Sequence, residues 1–239
     1  MQISKHLEET AKGDPAMRLS HESIYRAIYV QGKGLLKEKL RKLMRRGRTG
    51  RKPRKGGGAA AKPRFIEPML NISQRPAEAN DRAIPGHWEG DLIVGKGGRS
   101  AIGTLVERST RFCVLLHLPK DHAASSVQKE IVRKMKMLPE HLVKSLTWDQ
   151  GAELALHGRI SKELDIKVFF CDPHSPWQRG TNENTNGLLR QYFPKGTDLS
   201  AHSDEELDRV AAELNGRPRM TLGWKTPAQR FLELQDSRA

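Results

Sequence analysis

Three apolar runs of strand length stand close together in this chain, and a sheet is the fold element that accommodates them. They are His87 to Val94, Ala101 to Glu107 and Phe112 to Leu118. Gly95-Lys96-Gly97-Gly98 supplies a hairpin turn between the first two, and Arg108-Ser109-Thr110 a turn-prone link to the third. After that the pattern alternates. Asp121 or Ser125 can cap a helix reaching to about Leu138. Ser145 to Trp148 reads as a short strand, Glu153 to Leu164 as a helix, and Lys167 to Cys171 as another strand. Beyond Pro173 and Pro176, helices are expected over Gln178 to Tyr192 and over Asp204 to Asn215. Three meandering strands followed by alternating helix and strand imply an α/β fold, a mixed sheet flanked by helices on both faces. The glycines at 95, 97 and 98 do not form a phosphate-binding P-loop, because no G-x-x-x-x-G-K-[ST] is present.

The chain before Gly86 is organised differently. Residues 1–32 read as two short helices. Ile3 and Leu7 give one apolar stripe, and Gly13-Asp14-Pro15 breaks it. Ser20 is placed to cap a second helix carrying Ile24, Ala27 and Ile28. The pair reads as a partial helix-turn-helix, or equally as a helical hairpin packed on the main domain. Residues 33–85 form a basic arm and linker. They open with an amphipathic stretch (Leu35, Leu36, Leu40, Leu43), pass through Gly56-Gly57-Gly58-Ala59-Ala60-Ala61, and end in a turn-rich run with little periodicity from Phe65 to Pro85. Residues 86–239 hold the α/β core.

Charge is distributed unevenly between these parts. The 239 residues carry a net +14, yet Lys33 to Arg64 alone holds 14 Lys/Arg against one acid, Glu38. The core is therefore nearly neutral. A run so cationic suits a polyanion, since neutralising phosphates releases condensed counterions. Read plainly, the same run is a solvated linker. No stretch approaches the roughly 18 apolar residues of a membrane span. The N-terminus lacks a signal-peptide pattern, so a cytoplasmic protein with no membrane partner is expected. Cys113 and Cys171 have no companions at metal spacing, which argues against structural zinc and a disulfide framework.

Three acids are the candidates for chemistry. Asp91 lies within a strand in which His87, Glu89, Asp91 and Ile93 face one way and Trp88, Gly90, Leu92 and Val94 the other. A mid-strand acid in a sheet covered on both faces needs a partner or a metal. Asp149 ends a short strand, where open α/β sheets place ligands. Glu183 lies in a helix among Trp177, Gln178, Arg179, Asn182, Asn184 and Asn186, a polar setting rich in asparagine, which is a poor helix former. Singly, each acid reads as a wet edge, a turn aspartate or a solvated helix face. Together they suit Mg²⁺ or Mn²⁺, which prefer oxygen ligands. Two such ions about 3.5–4 Å apart serve phosphodiester chemistry.

The run Gly86-His87-Trp88-Glu89-Gly90-Asp91-Leu92-Ile93, the segment Leu146-Thr147-Trp148-Asp149-Gln150-Gly151, and the 33 residues between Asp149 and Glu183 carry a resemblance. So does Asp172-Pro173-His174-Ser175-Pro176-Trp177-Gln178-Arg179-Gly180-Thr181-Asn182-Glu183-Asn184, which continues through Gly187-Leu188-Leu189-Arg190 to Lys195-Gly196. Leu214-Asn215-Gly216-Arg217-Pro218-Arg219 adds to it. The chain resembles the DDE transposases of the insertion-sequence-30 family from about residue 17 to 235. Relative to that family it begins within the helix-turn-helix region and so reads as N-terminally truncated.

The resemblance implies an RNase H-like integrase catalytic core over 86–239. It implies that Asp91, Asp149 and Glu183 hold Mg²⁺ or Mn²⁺, as two ions. The partners it implies are double-stranded DNA, as element ends with inverted repeats and as target, and further copies of the chain in a homo-oligomeric synaptic complex; a bacterial, nucleoid-associated location follows. The expected DNA contacts are Arg179, Arg190, Lys195, Trp177, Gln178 and Asn186, with Arg45, Arg46 and Arg48 in the arm. The expected activity is DNA cleavage and strand transfer in transposition, recombination and integration. The rival readings are a non-catalytic DNA-binding remnant that represses transposition and an RNase H-like nuclease acting on RNA–DNA hybrids. His87, Glu89 and His174 are read as structural or orienting rather than reactive.

Overall fold

The apolar runs close into a six-stranded sheet in this computed structural model, which describes residues 1–11, 14, 18–30, 65, 67–80, 82–173 and 175–236. The chain divides into two units, Met1–Ala60 with Pro218–Trp224, and Ala61–Arg217 with Lys225–Ala239. In the larger unit the strands are β1 (Leu70–Asn71), β2 (His87–Val94), β3 (Ala101–Glu107), β4 (Cys113–Leu118), β5 (Ser145–Trp148) and β6 (Lys167–Phe170). Their spatial order is β1-β6-β5-β2-β3-β4. β2, β3 and β4 run antiparallel as a meander, while β5 joins β2 and β6 joins β5 in parallel. That meander, extended by parallel strands on its first member, is the RNase H-like arrangement, with β1 added as a parallel edge on β6.

Helices cover both faces, as the alternation in the sequence requires. On one face Trp88, Leu105, Leu116, Leu146 and Trp148 of the sheet pack with Ile131 of α4 (Ala124–Met135), Ile160 of α5 (His157–Leu164) and Phe231 of α8 (Pro227–Asp236). On the other, Ile93, Ile102 and Leu115 pack with Leu189 of α6 (Gly180–Leu189) and with Leu207 and Leu214 of α7 (Asp204–Asn215). The period-2 reading of β2 holds: Trp88 and Ile93 fall in opposite layers.

Helix boundaries differ from the expected ones where turns tighten. Asp121 accepts the Ala123 amide at 2.9 Å and so caps the lead-in turn, and α4 starts at Ala124. The stretch expected as one helix from Glu153 splits into a 3₁₀ turn, Ala152–Leu154, and α5. The one expected from Gln178 splits into a 3₁₀ turn, Pro176–Arg179, and α6. The turn-rich stretch before Gly86 also holds structure, namely β1 and α3 (Ala77–Asn80).

The smaller unit contains α1 (Gln2–Thr10) and α2 (His21–Val30). Ser20 caps α2 as expected, its Oγ accepting the Ser23 amide at 3.0 Å. The Gln2 side-chain amide donates to the Pro218 carbonyl at 2.8 Å. The basic arm, including Arg45, Arg46 and Arg48, lies outside the described residues, as does His174. Among the described residues no helix is long and apolar enough to cross a membrane.

Candidate active site

Strand register sets the distance between the first two acids. In the parallel pairing of β2 with β5, Glu89 faces Thr147. Asp91 lies two residues further along β2, and Asp149 directly follows the end of β5, so the two aspartates leave the paired region on neighbouring strands. Gly90 makes this closeness possible. A Cβ at Gly90 would overlap the Trp148 ring, which lies across the glycine. Trp148 is in turn fixed by its indole N–H, which donates to Glu153 at 3.0 Å.

One arginine bridges the pair. Arg179, at the end of the 3₁₀ turn before α6, places Nη1 3.2 Å from Asp91 Oδ1 and Nη2 2.9 Å from Asp149 Oδ2. Its Nη1 also donates to the Gly90 carbonyl at 2.7 Å. Asp91 receives two further bonds, from the Leu92 amide at 2.9 Å and from Asn186 Nδ2 at 3.0 Å. Burial raises the Asp91 pKa; Arg179 opposes that rise, and the nearby Asp149 adds to it. Burial alone would lower the Arg179 pKa, but Asp91 and Asp149 reverse this and raise it. Glu153 belongs to the same electrostatic group: burial raises its pKa, and Asp149 and Asp91 contribute.

Glu183 stands apart. It is exposed on α6 and makes no hydrogen bond or ion pair among the described residues. No three His, Cys, Asp or Glu gather into a metal-sized cluster among those residues. The structure thus brings Asp91 and Asp149 together and leaves Glu183 on a nearby helix face. Asn186, three residues on and on the same side of the helix, reaches Asp91.

A buried polar floor docks that helix on the sheet. Glu89 is fully buried and ion-paired with Arg108, and its other oxygen accepts the Asn182 amide at 3.0 Å. Asn182 Oδ1 accepts the Thr104 hydroxyl at 2.7 Å, and its Nδ2 donates to the Thr104 carbonyl at 3.3 Å. Glu89 is therefore a structural acid, in keeping with its expected role. Arg108, read from the sequence as a turn residue, is its counter-ion, with Nε on the Ala79 carbonyl at 2.7 Å. His87 is buried too, its Nδ1 2.7 Å from the Ser145 hydroxyl.

The remaining expected contacts differ in their surroundings. Trp177 is 72% exposed. Gln178 braces its own loop instead: it accepts the Asp172 amide at 2.8 Å and donates to the Asp172 carboxylate at 2.8 Å. Asn71 of β1 holds the other oxygen of Asp172 at 2.9 Å. Arg190 reaches the Val94 carbonyl at 3.4 Å, at the end of β2, and makes no ion pair among the described residues. Lys195 is exposed. Sequence reasoning missed Glu153, Arg108 and Thr104. The signal for Glu153 was the short Trp148-Asp149-Gln150-Gly151-Ala152-Glu153 stretch, whose glycine permits the carboxylate's close approach.

With this geometry in hand, the comparisons with known proteins agree with one another. Residues 81–176 match the integrase core domain family, a span that includes Asp91 and Asp149 and stops before Arg179 and Glu183. The chain is 50% identical over 228 residues to the transposase of insertion sequence element IS1086 of Cupriavidus metallidurans, covering 95% of this chain and 66% of that one. It is 44% identical over 232 residues to transposase InsI of element IS30C of Escherichia coli, covering 95% and 59%. It is 37% identical over 218 residues to the transposase of element IS4351 of Bacteroides fragilis, covering 90% and 64%. The catalytic core domain of BIV integrase overlaps 64% of this chain and 97% of its own length, with a TM-score of 0.48 and 19% identity. Residues 81–176 thus match integrase core domains, and over most of its length the chain is similar to transposases of IS30-type elements. It spans roughly three fifths to two thirds of the length of these relatives.

Proposed function

We propose that this chain is the catalytic part of a DDE transposase that cleaves DNA at the ends of an insertion sequence and joins the freed ends to target DNA. The observation that carries this reading is the approach of Asp91, on β2, and Asp149, just past the end of the parallel strand β5, to one guanidinium that bridges them. Transposase relatives at 37–50% identity support it. The donor set suits Mg²⁺ or Mn²⁺, because two carboxylates and the neighbouring Glu153 offer hard oxygens that repel one another unless a cation intervenes. Asp91 and Asp149 would hold the ions, and Glu183 would complete the set from α6. Bound there, such ions supply nucleophile activation and stabilisation of the leaving oxygen.

The chain's own residues do the rest. Asn186 orients Asp91, and the Glu89–Arg108–Asn182 floor keeps α6 at a fixed height over β2. Arg190 and Lys195 hold phosphates at the end of β2. Arg45, Arg46 and Arg48 add contacts that position DNA without reading its sequence. The reaction is hydrolysis exposing a 3′-hydroxyl, followed by attack of that hydroxyl on target DNA. Several copies of the chain would have to meet to bring two element ends together.

A second reading, a DNA-binding repressor without catalysis, is favoured by one observation: Glu183 is exposed and not gathered with the aspartates. Labelled element-end DNA incubated with Mn²⁺ and either the unaltered chain or Asp149→Asn separates the two. Metal-dependent nicking that disappears in the variant supports the transposase. DNA binding with no cleavage by either protein supports the repressor.

A further inference from the structure

Arg179 sits where a cation for the two aspartates belongs, and its bonding there is incomplete. Its two Nη atoms span Asp91 and Asp149, but Nε is buried and has no acceptor among the described residues. Arg108, directly after the end of β3, makes a useful contrast. Its Nε reaches Ala79, one Nη pairs with Glu89, and the other approaches the Asn80 carbonyl at 3.4 Å. Arg108 also serves one carboxylate with one charge. Arg179 sets one charge against two aspartates, with Glu153 close by. A guanidinium is a rigid fork best matched to one carboxylate, so here it is stretched over two with a donor left over. Arg108 has the bonding of a permanent strut, and Arg179 that of a placeholder.

Position in the chain links this to the third acid. Arg179 ends the 3₁₀ turn Pro176–Arg179, and α6 begins at the next residue. Glu183 lies four residues on, in the first turn of α6. While the guanidinium holds the aspartates, Glu183 faces solvent without a partner among the described residues. The residue that occupies the cation position and the acid that would complete the ligand set are thus joined by one turn of backbone.

We propose that Arg179 is an internal counter-cation, a positioning residue that keeps Asp91 and Asp149 together before metal arrives and must withdraw when a divalent ion binds. The proposal rests on the metal-site reading given above. It makes the protein's apparent metal affinity the intrinsic affinity reduced by the fraction of molecules in which the guanidinium is out of the site.

Calorimetric titration of the full chain with Mn²⁺, without DNA, tests this alongside thermal melting with and without Mn²⁺. The set of proteins is the unaltered chain, Arg179→Gln, Arg179→Lys and Asp149→Asn. The expected result is that Arg179→Gln binds Mn²⁺ about tenfold more tightly than the unaltered chain, melts lower without metal, and gains more from added Mn²⁺. Arg179→Lys keeps the charge but cannot fork across both carboxylates, and it falls between them. Equal or weaker Mn²⁺ binding by Arg179→Gln overturns the proposal and makes Arg179 a strut. If that variant does not fold, Arg179→Lys decides, and binding no tighter than in the unaltered chain overturns it. If the unaltered chain binds no Mn²⁺ and Asp149→Asn behaves identically, the metal-site reading falls, and this proposal with it.

Discussion

Gly90 and Trp148 set how near the two aspartates can come, so the site depends on a residue with no functional group. Gly90→Ala would push a methyl into the Trp148 ring, and that ring is tied to Glu153 and cannot swing away freely. Overpacking of this kind costs about 1–3 kcal/mol, readable as a lower urea midpoint with the slope of the transition unchanged. The Glu89–Arg108 pair is buried on both sides, and Arg108→Ala would leave a carboxylate without its counter-ion. Removing one member of such a pair costs about 3–5 kcal/mol, so this variant should be the less stable of the two in the same denaturation series. His87 makes a pH prediction. Burial lowers its pKa from the unfolded value of about 6.5, ahead of the smaller opposing pull of Glu78. A depressed histidine contributes stability that is present above the unfolded value and lost as pH falls toward the folded one. Melting temperature should therefore fall between pH 7 and pH 5, and His87→Gln should flatten that fall. An unchanged slope in the variant would remove His87 from the account.

α6 carries Glu183 yet is held to the sheet by amides. Asn182 uses both ends of its side chain on Thr104, and its backbone N–H on Glu89. Asn182→Ala would remove both side-chain bonds to Thr104, whose hydroxyl keeps its bond to the Asp91 carbonyl at 3.2 Å, a loss of about 0.5–1.5 kcal/mol per bond. Asn186→Ala, on a partly exposed residue, should cost less in chemical denaturation. These asparagines explain why the helix stood out in the sequence: a run of poor helix formers persists there because their side chains bond sideways to the sheet. Elements with strong periodicity were legible. β2, β3, β5 and α7 span the residues that alternation and capping indicate. What escaped was decided by distant partners. β1 is two residues long and exists because β6 offers an edge. Arg108 looks like a turn residue until Glu89 is placed opposite it. The motif run points to three acids, but local spacing does not contain the bridge by Arg179, since that contact joins a turn before α6 to the interior of β2 and the residue after β5.

The whole chain separates its labour by charge. The core is close to neutral, and the +13 of residues 33–64 supplies nearly all of the +14. On the proposed function, such a division implies that affinity for DNA and chemistry on DNA can be altered independently. Each phosphate contact that is lost should reduce the slope of log affinity against log salt by about 0.9 on duplex DNA. Converting Arg45, Arg46 and Arg48 together to Gln should therefore lower that slope by up to about 2.7 if all three touch phosphate, measured by fluorescence anisotropy on a labelled duplex. The effect should be nearly the same for element-end and unrelated duplexes, because phosphate contacts carry no base sequence. Melting temperature and Mn²⁺ affinity should not change, since the aspartates and their surroundings belong to the core. Asp149→Asn should show the reverse: the salt slope retained and Mn²⁺ binding lost. If instead the triple substitution leaves the slope unchanged, the arm is a solvated tether, and the phosphate contacts must come from Arg190, Lys195 and their neighbours at the end of β2.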